Sequence, residues 1–117
     1  MSVLNPVDIE HNIQECARRI HKGVTVVGNA EKEHREAAHR HDVAFARAYM
    51  DHDGAAHEKR YAATLATQDE RSAADVAELA FKHAERTARA LEAELRAWQS
   101  VGASIRAMYQ GEKGLGG

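Results

Sequence analysis

From Ala74 to Tyr109 apolar residues return at alternating steps of three and four, through Ala77, Phe81, Ala84, Ala88, Leu91, Leu95, Trp98, Gly102 and Ile105. Ten such steps without an error describe one face of a long α-helix laid along a partner in coiled-coil fashion, and not a strand, whose side chains repeat every two residues. On the other side of this helix Glu78, Glu85 and Glu92 stand four residues before Lys82, Arg89 and Arg96. That orientation stabilises a helix by a few tenths of a kcal/mol per pair and marks a solvated surface. Thr67-Gln-Asp-Glu70 has the form of a capping box, which sets the helix start near residue 68. The pattern stops at about residue 110. Gly111-Glu-Lys-Gly-Leu-Gly-Gly117 holds four glycines and no period, so residues 111–117 read as a flexible tail.

A second long helix precedes it. Asn5 and Pro6, with Asp8 following, combine an N-cap, a first-turn proline and an acid near the positive end of the dipole, and predict a helix from about 6 to 52. Its seam reads Ile13, Ala17, Ile20, Val24 and Val27, with Ile9 and Cys16 on the shoulders, and continues through Ala30, Ala37, Ala44 and Phe45. Gly23-Val-Thr-Val-Val-Gly28 is the weak stretch, because two glycines and four β-branched residues lower helix propensity; a continuing helix with a possible bend is the expectation. A short helix over about 55–66 turns the corner and puts Tyr61 and Leu65 on one face.

Two long helices of similar length joined by a short one fold most simply as an antiparallel, coiled-coil-like hairpin, so the fold class is all-α. With 117 residues, the chain supplies about one domain, taken as 1–110. A fold-back centred on the short helix sets Ile13 against Tyr109, Ile20 against Gly102, Val27 against Leu95 and His41 against Phe81. Alanine supplies 23 of the apolar positions and aromatic residues only 5% of the chain, so the helices approach closely over a thin core. Val76, Ala80, Ala90, Ala97, Val101 and Met108 form a shoulder beside the seam of the second long helix. One partner helix cannot cover seam and shoulder together, which predicts a dimer or four-helix bundle.

Composition narrows the chemistry. Sixteen basic and 18 acidic residues give a net charge of −2, against a partner held mainly by phosphate charge. One cysteine, Cys16, excludes an internal disulfide framework and fits a reducing compartment, and with no charged leader and no long uncharged run the expectation is a cytoplasmic protein without membrane contact. Eight histidines invite a metal reading, and Glu31 to His34 and Glu36 to His39 have the spacing of di-iron bundles. Both motifs lie on one helix and point to different faces, and no two histidines are three or four apart, so no metal or cofactor is expected. His34 and His41 sit on the inner side of the first helix, as polar residues that fix register or as a pH-responsive seam. No nucleophile elbow, phosphate loop or zinc-protease helix is present in the sequence, and an enzyme is not expected.

Phe45-Ala-Arg-Ala-Tyr49, Tyr61-Ala-Ala-Thr-Leu-Ala-Thr-Gln-Asp-Glu-Arg71 and Ala88-Arg-Ala-Leu-Glu-Ala-Glu-Leu-Arg-Ala-Trp-Gln-Ser100 together resemble a family of small tailed-phage proteins of the actinobacteriophage type. The resemblance covers about half the chain. It implies a helical hairpin, often encoded near recombination and replication genes, with no activity assigned to the family as a whole. The resulting expectation is a non-enzymatic phage protein that self-associates and offers a helix face to a host or phage protein, as a host-directed inhibitor or toxin or as an accessory of the phage. Its candidate interface is Val24, Val27, Val76, Leu79, Ala80, Val101 and Met108. The competing expectation is a nucleic-acid-binding accessory of recombination that tracks a backbone with Lys82, Arg86, Arg89 and Arg96.

Overall fold

The computed structural model describes the backbone of residues 5–116 and the side chains of residues 5–111. The first four residues of the expected 1–110 domain, Gly117 and the side chains of 112–117 in the expected tail lie outside the described residues. Three helices account for the fold: α1, Pro6–Asp51; α2, Ala56–Ala66; and α3, Gln68–Gly116. Among the described residues there is no strand. The architecture is the all-α helical hairpin with a short connecting helix that the periodicity predicts.

Asn5 caps α1 as its sequence demands. Its Oδ1 accepts from the amide of Asp8 at 3.0 Å, and its carbonyl accepts from Ile9 N at 3.1 Å. The Gly23–Gly28 stretch is helical throughout. A helix already formed on both sides needs only propagation, one hydrogen bond per residue fixed, and that outweighs the modest propensity cost of valine and glycine. α1 ends at Asp51, and Gly54, with φ of +148°, turns the chain; a side chain there would run into the Glu58 carboxylate. At the start of α3, the hydroxyl of Thr67 donates back to the carbonyl of Ala63 at 2.7 Å. The expected capping box is therefore not formed by that hydroxyl, although the boundary itself falls where the motif puts it. At the far end the backbone of α3 continues helical to Gly116, past the expected stop at 110. Extending a formed helix is again cheaper than nucleating one.

Among the described residues, those up to Thr25 with those from Arg86 onward form one compact unit, and Val26–Glu85 form another. In the first unit Ile9, Cys16 and Leu91 are buried, at 2%, 2% and 7% exposure. Gly102 faces Ile9 and Ile13, and a Cβ on it would meet Ile9 Cγ2 at 3.4 Å and Ile13 Cδ1 at 3.8 Å. In the second unit Ala37, Ala77 and Ala84 from α1 and α3 are buried together with Ala63 of α2. There His34 stacks on Phe81 with ring centroids 5.6 Å apart.

These contacts confirm the face of α3 and correct two expectations. Ala77, Ala84, Leu91 and Gly102 are buried, and Ala74, Phe81, Ala88, Leu95, Trp98 and Ile105 half-buried; only Tyr109 of the series is exposed. On α1, however, the seam runs through Cys16 and Gly23 where Ala17 and Val24 were expected, and the latter two are exposed. Both choices alternate three and four and share Ile13, Ile20 and Val27. The phase is fixed by Ala30, Ala37 and Ala44, which carried back by sevens lead to Gly23, Cys16 and Ile9. The second correction is register. Gly102 faces Ile13 instead of Ile20, and Phe81 faces His34 instead of His41. Each partner is displaced by one heptad, which preserves the buried face and so leaves hydrophobic periodicity unchanged.

The cause lies in the corner. In the 26–85 unit α2 lies against the end of α1, with Lys59 Nζ 5.6 Å from the centre of the Tyr49 ring. Tyr49, near the end of α1, thus faces α2, and the observed pairs centre the fold-back on the start of α2 and not on its middle. The phase assignment has a direct test in urea denaturation. Leu91→Ala, at a buried position, should cost about 2–5 kcal/mol, whereas Met108→Ala, at 66% exposure, should stay within about 0.5 kcal/mol. Equal costs would mean that α3 is rotated from this phase.

Candidate interaction face

α3 sorts its side chains more sharply than a solvated helix requires. One flank carries Arg71, Asp75, Glu78, Lys82, Glu85, Arg89, Glu92 and Arg96. The other carries Ala73, Val76, Ala80, His83, Ala90, Glu94, Ala97, Val101 and Met108, with Leu79 beyond it. In the 26–85 unit, Val76 and Leu79 are each 67% exposed and Ala80 is exposed, so these three expected interface residues form an open apolar patch one turn long. In the other unit Val24 and Met108 are exposed and Val101 is half-buried. Val27 is half-buried on the seam side of α1 and so contributes less to an outer surface than expected. Besides Asp69 in the first turn, Glu94 is the one carboxylate on the low-charge flank. It accepts from the indole Nε1 of Trp98 at 3.4 Å, four residues on.

Sequence reasoning missed Met50, Tyr61 and Leu65, which are also exposed, at 73%, 63% and 70%. Tyr61 and Leu65 do share a face of α2, as their spacing requires, but Ala63 and Thr67 are the residues α2 turns inward.

The expected basic stripe is divided. Lys82 belongs to the 26–85 unit and bridges Glu78 at 2.9 Å, and this hydrogen bond holds the Glu78 carboxyl below its usual value. Arg86, Arg89 and Arg96 belong to the other unit and are exposed. Among the described residues the pairs Glu85–Arg89 and Glu92–Arg96 do not close into ion pairs. On α1, Arg18 donates to Glu15 at 2.6 Å and Arg35 to Glu31 at 2.7 Å; exposed pairs of this kind contribute little to stability.

Both expected seam histidines are half-buried on α1. His34 Nδ1 is buried with no hydrogen-bond partner, a defect that costs about 1–3 kcal/mol wherever a polar atom is left so. His41 tilts over Phe45 at 6.1 Å, and its Nδ1 lies 3.7 Å from Asp42 Oδ1. Among the described residues no three His, Cys, Asp or Glu side chains converge to hold a metal ion, and no helix is long and apolar enough to cross a membrane. The chain matches no family model, no curated protein and no solved structure.

Cys16 is enclosed on the seam. Burial pushes its thiol above the usual cysteine value, and the neighbouring Glu94 carboxylate adds to the shift. Less thiolate and less access both slow nucleophilic attack. Near neutral pH the folded chain should therefore react with an aromatic disulfide reagent on the order of tenfold or more slowly than the chain unfolded in urea. Equal rates would place Cys16 at the surface.

Proposed function

We propose that this chain is a non-enzymatic helical interaction module of phage origin that self-associates through the open apolar patch of α3. In that state it presents its remaining helix faces to a host or phage protein. The observation that carries the reading is the exposure of Val76 and Leu79 on a flank of α3 from which charge has been withdrawn. Water-facing helices place charged residues all around their outer side, whereas here most of the acids and bases are gathered on one flank.

A second copy is the partner that is always at hand. In a two-fold contact each side chain is buried twice, so Val76 and Leu79 together contribute four apolar groups. Burying what each still exposes is worth roughly 1–2 kcal/mol per group, or about 4–8 kcal/mol in all. Association costs about 4–15 kcal/mol in lost freedom of motion, so the contact is weak and concentration-dependent. Ala73 and Ala80 beside the two larger residues allow close approach of the helix backbones.

Sedimentation equilibrium over a range of concentrations tests this. The expected result is a mass that rises from the 12.9 kDa of one chain toward twice that value, and a shift back to one chain in Val76→Glu/Leu79→Glu with helical content kept. A single-chain mass at every concentration would overturn the reading. In the competing nucleic-acid reading, oligonucleotide binding would weaken steeply between about 50 and 200 mM salt, and less steeply after Arg86→Gln/Arg89→Gln.

A further inference from the structure

Within the 26–85 unit, three helices meet around a groove of about 460 Å³ lined by His41 and Phe45 of α1, Thr64 of α2, Thr67 at its C-cap, and Gln68, Arg71 and Ser72 of α3. Its size falls in the range of small-molecule sites. The lining has a consistent chemistry. It contains a guanidinium, an imidazole, a carboxamide and three hydroxyls, together with one aromatic ring, and no carboxylate. The acids nearest to its two nitrogen bases lie outside the lining: Asp75 takes only Nε of Arg71, at 3.3 Å, and Asp42 stands 3.7 Å from His41 Nδ1. Among the described residues the terminal nitrogens of Arg71 make no hydrogen bond to a carboxylate. The hydroxyls of Thr64 and Thr67 spend their protons on the carbonyls of Arg60 and Ala63, at 2.9 and 2.7 Å. Donation to a ligand is thereby left to Arg71, Gln68, Ser72 and His41.

From this geometry we infer that the groove binds a small organic anion. Its phosphate or carboxylate group is held by Arg71, Gln68 and Ser72, and its flat apolar part rests against Phe45. The planar guanidinium presents parallel donors suited to either oxyanion, and the half-buried Phe45 ring, already tilted against His41, supplies an apolar wall that inorganic ions cannot use. The groove owes nothing to the α3 patch of Val76 and Leu79, so its ligand can be sought whatever the oligomeric state.

The test is a titration of the full-length, isotope-labelled chain with phenyl phosphate at physiological ionic strength, followed through backbone amide resonances, with inorganic phosphate as the ringless comparison. The expected result is saturable shifts centred on His41, Phe45 and residues 67–72, tighter for phenyl phosphate than for inorganic phosphate. Arg71→Gln should weaken binding about tenfold or more, the effect of losing one charge-assisted contact, while Arg86→Gln leaves it unchanged. Arg71 is 67% exposed at its side chain, so its replacement leaves the fold in place, and an unchanged spectrum away from the groove verifies this. The proposal is overturned by shifts spread equally over Arg86, Arg89 and Arg96, by equal affinity in Arg71→Gln, by equal affinity for the two phosphates, or by no saturable shift at all.

Discussion

Close approach of α1 and α3 through small side chains is the condition on which the rest of the structure depends. In the unit of residues up to Thr25 and from Arg86 onward, Gly102 leaves room for Ile9 and Ile13, and in the 26–85 unit Ala37, Ala77 and Ala84 are the buried apolar residues of the two long helices. Small residues let helix backbones come near but remove little apolar area from water. Among the described residues Ile9 and Leu91 are the only large aliphatic side chains that are buried, while Val76, Leu79, Tyr61, Leu65 and Met108 remain outside. A core built this way is thin, and apolar side chains that it cannot take in stay on outer faces. The proposed self-association is the consequence of that balance.

Much of the fold was legible because α3 repeats its message. Ten steps of alternation determine one helical face, and the residues so marked are buried or half-buried up to Ile105. α1 was legible only in part. Ile13, Ile20 and Val27 satisfy two phases at once, and hydrophobicity prefers Val24 to Gly23, yet the alanines downstream settle the phase in favour of the glycine. Register was not legible, since sliding one helix by a heptad returns the same face to the same partner. What selects between registers is the path of α2, and α2 is short and nearly featureless in sequence. Its inward residues, Ala63 and Thr67, are less apolar than its outward Tyr61 and Leu65.

The same corner creates the one concave polar site described here. His41 and Phe45 of α1 face the junction between α2 and α3. Thr67 shows how local chemistry yields to this arrangement. Its hydroxyl, which the sequence assigns to the cap of α3, instead satisfies the carbonyl of Ala63 and leaves Gln68, Arg71 and Ser72 to line the groove. Of the groove's residues His41, Phe45 and Thr67 stood out in the sequence, each for a different role, because no linear spacing connects residues of three helices.

In the proposed assembly the apolar patch of α3 meets a second copy of the chain. Its most direct test is a mixed sample of labelled and unlabelled protein, in which magnetization transfer is recorded only between different chains. The account requires intermolecular contacts at the methyl groups of Val76 and Leu79. Contacts confined to single chains at concentrations where helical structure is complete would contradict it.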